Sequence, residues 1–267
     1  MSALQIEDVS LQAWRVIAAS VQGTSHLEKA VPCQDVHAYR LLPAGELLAA
    51  AADGAGSAER SQEGAQLAVE QALLELESLL SRGAPASEAG WQDAWNELFG
   101  AVHQKLAAFA SAANAPLNAF ATTLTCAVVT ADWLAVGQIG DGAAVIETAT
   151  GDLLLTVRPQ RGEYANEACF VTMREPLQYL SVYASSQPVQ GLILTTDGLL
   201  RLAFKLPDYT PSARFFQPLL VFARQAAAGA AAEQELNAFL ASEKVCARTD
   251  DDKTLLVAVR QASGGKE

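Results

Sequence analysis

Short apolar runs that stop at an aspartate beside a glycine recur along this chain, and they restrict what it can fold into. Leu47 to Ala52 leads straight into Asp53-Gly54, Trp133 to Ile139 into Gly140-Asp141-Gly142, and Leu192 to Thr195 into Thr196-Asp197-Gly198. Asp250-Asp251-Asp252 stands just before a further apolar run, Thr254 to Arg260. A strand end holds a short carboxylate rigidly at the rim of a sheet, and the neighbouring glycine lets backbone approach closely. A single Asp-Gly is an ordinary turn dipeptide. Four acidic sites placed this way point instead to convergent ligands for a hard divalent cation, because Mg²⁺ and Mn²⁺ take carboxylate, carbonyl and water oxygens. The three histidines, His26, His37 and His103, form no pair with ligand spacing, which argues against zinc. His103 adjoins an apolar helical stripe and reads as structural, and His37 as a satisfied histidine in a strand.

Further strands are expected at Ala13 to Val21, Val36 to Leu42, Phe120 to Thr130 and Ala143 to Thr148, with Ala131-Asp132 as a hairpin turn. Apolar residues at helical spacing predict helices over Glu59 to Leu80 and from Trp91 to Phe109, and two more over Ser212 to Ala228 and Ala232 to Glu243. Gly151 to Gln190 carries Pro159, Pro176 and Pro188 with Arg158, Arg161 and Arg174, and reads as short strands in a mobile surface excursion. No repeat or linker interrupts the chain, so residues 1–267 read as one domain.

The chain has 30 acidic against 18 basic residues, a formal net charge of -12, and 51% hydrophobic residues. High charge without low hydrophobicity excludes disorder for the bulk of it. An acidic surface repels the phosphate backbone, which excludes nucleic-acid binding by a general basic face. No apolar run approaches the ~20 residues of a membrane span. Glu7 and Asp8 near the start and the absence of a basic n-region argue against a targeting peptide. Cys33, Cys126, Cys169 and Cys246 are far apart, consistent with free thiols in a reducing cytoplasm.

Taken in order, Cys33-Gln34-Asp35, Ala52-Asp53-Gly54-Ala55-Gly56-Ser57, Ala121-Thr122-Thr123-Leu124, Ile139-Gly140-Asp141-Gly142, Thr195-Thr196-Asp197-Gly198 and Asp251-Asp252-Lys253-Thr254 resemble the motifs of the PPM family. These are the metal-dependent type 2C Ser/Thr protein phosphatases, and the compact bacterial members are the nearest in pattern. The set spans Gly23 to Val259. The resemblance implies an α+β fold, a four-layer αββα sandwich with two central antiparallel sheets flanked by helices, and a variable flap at about residues 151–190. It implies hydrolysis of phosphoserine and phosphothreonine monoesters by water activated between two Mn²⁺ or Mg²⁺ ions, with a third ion in some members. Asp53 would bridge two ions, the Gly54 carbonyl would join one, and Asp197 and Asp251 the other. Asp35 would hold water beside them, and Asp141 with Asp197 would serve a weaker third ion. Asp35, Asp53, Asp197 and Asp251 are then the catalytic set. The implied partner is a phosphorylated protein opposed by a Ser/Thr kinase, with no nucleic acid or membrane involved and the enzyme a monomer.

The pattern also departs from the family. Where members carry an Arg that clamps phosphate a few residues before the first Asp, this chain has Ala30, with Lys29 and His26 nearby as candidate phosphate contacts. Gly142-Ala143 replaces a common Ser-Arg. The missing clamp motivates an alternative, a pseudophosphatase or regulatory module with the same fold. Against that alternative, a scaffold has no physical need for mutually repelling carboxylates. A cysteine-based phosphatase needs Arg six residues after its Cys, and Tyr39, Asp132, Glu175 and Asp252 stand there. Asp250-Asp251-Asp252-Lys253-Thr254 matches a haloacid-dehalogenase loop in letters, but it lies too near the end of the chain to open such a domain. No Walker or dinucleotide loop occurs.

Overall fold

The apolar runs become strands of two different sheets. The computed structural model describes residues 13–160, 169–226 and 229–261. The chain begins with β1 (Trp14–Val21), α1 (Thr24–Glu28), β2 (Asp35–Leu41), β3 (Leu47–Asp53), α2 (Ser61–Arg82) and α3 (Glu88–Ala112). It continues through β4 (Leu124–Val129), β5 (Leu134–Ile139), β6 (Ala143–Thr148), β7 (Leu153–Val157), β8 (Ser181–Ser185) and β9 (Val189–Thr195). Then follow α4 (Leu200–Ala203), β10 (Phe204–Lys205), β11 (Thr210–Pro211), α5 (Ala213–Gln225), α6 (Ala230–Leu240), α7 (Glu243–Cys246) and β12 (Lys253–Arg260). One five-stranded sheet has the order β1-β12-β9-β6-β7 and the other β2-β3-β4-β5-β8, antiparallel throughout.

Side-chain alternation sorts each strand between two partners. In β3, Leu48, Ala50 and Ala52 face α2 and α3, while Leu47, Ala49 and Ala51 face the opposite sheet. In β12, Leu255, Val257 and Val259 face α5 and α6, and Leu256 and Ala258 join the layer between the sheets. Helices, sheet, sheet and helices are therefore stacked as the expected αββα sandwich. The small side chains of β3 let the helices close in, and Trp91, Trp95 and Phe99 of α3, all fully buried, fill the remaining space. Burying each such ring stabilises by roughly 2 to 3 kcal/mol. Gly137 of β5 lies under the Trp95 ring, where a Cβ would come within 2.7 Å of ring carbons.

Several boundaries differ from the periodicity: α2 is shifted by two residues, the helix expected over Ala232 to Glu243 stops at Leu240 before a separate α7, and two further differences have a visible cause. α3 starts three residues ahead of its apolar stripe because Ser87 caps it, the hydroxyl accepting from the Gly90 amide at 3.1 Å. Phe120 ends a short 3₁₀ turn (Leu117–Phe120) instead of opening a strand. The next three residues bond the loop after β3: the Ala55 amide donates to the Ala121 carbonyl and the Thr123 amide to the Asp53 carbonyl, both at 2.9 Å. The expected excursion at 151–190 supplies β7 to one sheet edge and β8 to the other. Arg161 lies outside the described residues, Arg158 is exposed with its guanidinium donating to the Asp208 carbonyl, and Arg174 is exposed. No helix among the described residues is long and apolar enough to cross a membrane.

Candidate metal centre

Topology alone brings the strand-end aspartates together. β2 starts and β3 ends at the same edge, where Asp35 and Asp53 are direct cross-strand partners. In the other sheet β9 ends, and β6 and β12 begin, at that edge too. Asp197 follows β9, Asp251 precedes β12, and Asp141 lies on the crossing from β5 to β6. Gly140 permits that crossing with φ +120, and a Cβ there would meet the Thr123 side chain. Gly198 is forced by space, since a Cβ would collide with the Asp252 carbonyl oxygen.

Asp53, Asp141 and Asp197 each offer a carboxylate oxygen within 4.8 Å of the others. Asp251 lies outside this tight trio but lines the same pocket, of about 280 Å³, together with Gly54, Gln34, His26 and Phe170. At an effective dielectric near 20, two unit charges at that spacing repel by roughly 3 kcal/mol. Burial and mutual repulsion raise the carboxylate pKa values. Asp35 is pushed up to about 8, first by burial and then by Asp252 and Asp197, against the lowering effect of its Thr196 and Thr254 hydrogen bonds. Asp197 rises to about 7 through burial, Asp141 and Asp251. Asp53 is held well above the ordinary carboxylate range by burial and by Asp35, Asp197, Asp251 and Asp141. No Arg or Lys among the described residues lines the pocket to relieve them. Asp35 Oδ2 accepts from Thr196 Oγ1 at 2.6 Å, while its buried Oδ1 has no partner among the described residues. An oxygen-only donor set, mutual repulsion and an orphaned buried carboxylate oxygen fit hard divalent cations and their waters.

The structure also places residues that the sequence left without a role. Thr123 Oγ1 accepts from the Asp53 amide at 2.9 Å and so fixes the end of β3. Asp252, buried, accepts from the amides of Gly23 and Gln34, both at 2.6 Å, and lies 2.9 Å from His26 Nδ1. Facing a carboxylate, Nδ1 carries the proton, which leaves Nε2 for a second partner. Lys253, fully buried, donates from Nζ to the Asp251 carbonyl at 3.0 Å. Three successive acids before β12 were the available signal, but nothing in them tells which one turns inward. Of the two candidate phosphate contacts, His26 lines the pocket, whereas Lys29 caps α1 on the exposed surface and does not. His37 is half-buried, with Nδ1 2.8 Å from Ser20 Oγ, and His103 Nδ1 contacts the Val171 carbonyl. All four cysteines are free, and burial together with Asp252 and Asp35 pushes the Cys33 thiol up, away from thiolate chemistry.

Residues 22–241 match the family model described as Protein phosphatase 2C. The chain is 34% identical over 259 residues to Serine/threonine-protein phosphatase 3 of Escherichia coli, spanning 92% of this chain and 98% of that protein. Solved structures share the fold at low identity. A bacterial serine phosphatase aligns with TM-score 0.64 at 12% identity, covering 93% of this chain and 98% of that one. Serine-threonine phosphatase 2C from Toxoplasma gondii gives 0.63 at 16%, covering 93% and 95%. The catalytic domain of serine threonine protein phosphatase PstP, in complex with two manganese ions, gives 0.58 at 18%, covering 93% and 99%. With the family model covering most of its length, this chain belongs to the protein phosphatase 2C family.

Proposed function

We propose that this protein hydrolyses phosphoserine and phosphothreonine monoesters in phosphoproteins, opposing a Ser/Thr kinase in the cytoplasm and acting as a monomer. The observation that carries this reading is the trio Asp53, Asp141 and Asp197, whose oxygens converge within 4.8 Å in a pocket that no described Arg or Lys lines. Family membership and the names of the relatives support it. Asp53, Asp197 and Asp251 with the Gly54 carbonyl would hold two Mn²⁺ or Mg²⁺ ions, and Asp141, close to Asp53 and Asp197, a third. When bound, such ions acidify water for attack on phosphorus and neutralise the phosphoryl oxygens. Asp35, fixed by Thr196, would orient a proton-bearing partner through its free Oδ1. The segment 151–190, from which Phe170 lines the pocket, would act as the flap of this single domain.

The test is hydrolysis of p-nitrophenyl phosphate and a phosphothreonine peptide with millimolar Mn²⁺ or Mg²⁺. Activity should appear with either ion and vanish in EDTA. Hydrolysis that ignores EDTA would remove the proposal, and tight ion binding without turnover would favour a regulatory module.

His26 would donate a hydrogen bond or proton at the leaving oxygen, held in place by Asp252. We expect His26→Ala to slow hydrolysis of the phosphothreonine peptide by about 10²-fold, within the range for a general acid, and to slow p-nitrophenyl phosphate far less, because its leaving group needs no proton. Equal losses on both substrates would assign His26 to phosphate binding instead. Asp252→Asn keeps one oxygen and so can accept from only one of the two amides; with that oxygen toward Gly23, its NH2 would face the Gln34 amide and His26, and part of the His26 effect should be lost.

A further inference from the structure

A groove of about 750 Å³ lies away from the acidic pocket, between α5, α6 and α7. Phe215, Phe222 and Phe239 provide apolar surface, with the rings of Phe215 and Phe239 meeting across α5 and α6 at 6.3 Å, and Phe239 stays 38% exposed. Its charged lining is the reverse of the whole molecule. Arg201, Arg214, Lys244 and Arg248 stand there against Glu235 alone, in a chain with 30 acidic and 18 basic residues. These four cations are exposed, and none forms an ion pair with a described residue. Long cations gathered around one exposed and two half-buried aromatics, on an otherwise acidic protein, are complementary to an acidic segment with apolar anchors.

The groove is also continuous in sequence with the metal centre. Arg201 belongs to α4, which begins three residues after Asp197, and Arg248 stands three residues before Asp251. A chain seated in the groove would thus lie beside the two segments that carry those ligands. We infer that this groove docks the phosphoprotein substrate through an acidic segment bearing Leu or Phe anchors, separate from the phosphorylated residue; the inference rests on the phosphatase activity proposed above. Docking there would supply part of the substrate affinity that a pocket without a phosphate-clamping Arg lacks.

Two phosphothreonine peptides test this, one followed by a glutamate-rich tract with a Leu and a Phe, the other with lysines in place of the glutamates. With the Mn²⁺-loaded enzyme, KM for the acidic peptide should be lower. The double variant Arg214→Glu, Lys244→Glu should raise that KM by about tenfold, equivalent to about 1.4 kcal/mol, and Phe239→Ala should raise it too. Turnover of p-nitrophenyl phosphate should stay unchanged in both variants, which alter exposed side chains outside the metal centre. Fluorescence anisotropy of the labelled, unphosphorylated acidic peptide reads the groove independently of catalysis. If no phosphoester is cleaved but the peptide binds the parent and not the double variant, the activity reading fails and the docking surface stands. Equal affinity for both peptides, or no effect of the variants, would overturn the inference. So would binding of dodecanoate with none of the peptide, which would assign the groove to a small amphipathic anion. Peptide binding that appears only after deletion of residues 1–12 would make this chain's own segment the occupant and overturn it as well.

Discussion

Asp53→Asn is expected to lose metal-dependent hydrolysis by more than ~10²-fold, beyond the 10- to 100-fold typical of residues that only support a ligand, and its metal-free form to melt at a higher temperature than the parent. Both effects have one cause. Asp53 faces Asp35 across the ladder and shares the trio with Asp141 and Asp197, so its charge is opposed from several sides until cations arrive. The amide keeps the shape and removes that repulsion. It would also remove one of the trio's three carboxylates proposed to hold the ions. Differential scanning fluorimetry with and without Mn²⁺ should therefore show a higher starting temperature and a much smaller metal-induced rise, since stabilisation by a ligand follows its affinity for the folded state. A variant that keeps full activity, or one that melts lower without metal, would break this account.

The second large effect is on pH. In EDTA the folded protein holds protons on Asp35, at about 8, and on Asp197, at about 7, that the unfolded chain releases near pH 4. Across that window the folded state binds more protons, so stability is fully present below the unfolded pKa and falls as pH rises through 7 to 8. Each such proton is worth up to about 1.4 kcal/mol per pH unit. For a chain of this size, a melting temperature about 5 °C or more lower at pH 8 than at pH 5.5 is expected. Saturating Mn²⁺ should flatten or reverse the trend, because it binds the deprotonated cluster. A metal-free melting temperature that rises with pH over this range would contradict the charge distribution described for the site.

Much of this centre is legible in the sequence because strand ends are local features. Apolar runs that stop at Asp53 and Asp197 announce both the strand and its terminal carboxylate, and helical spacing marks α2 and α3. Sheet membership is not local. β3, β4 and β5 are covered on both faces, so their runs show no alternation to say which sheet they join or which neighbour they pair. The same covering hides Asp252, since Asp252 and Lys253 are both buried and neither shows the polar face that would tell them apart from Asp251. The 3₁₀ turn before β4 escapes periodicity because backbone bonds from the loop after β3 decide it. His26 reaches the pocket through contacts made 226 residues away in sequence, which no spacing rule encodes.

The clustered aspartates are divided between the sheets, with Asp35 and Asp53 from one, Asp197 and Asp251 from the other, and Asp141 on the strap between them. Thr196 Oγ1 already stitches the halves, donating to Asp35 Oδ2 and accepting from the Thr254 amide at 3.0 Å. Cations seated there would act as a rivet through both plates of the sandwich. A partly opened molecule with one sheet displaced would keep only a fragment of the donor set and lose its ions. Cation supply in the cell would then govern how often the sandwich opens, and with it the lifetime of the folded protein, independently of any substrate it turns over.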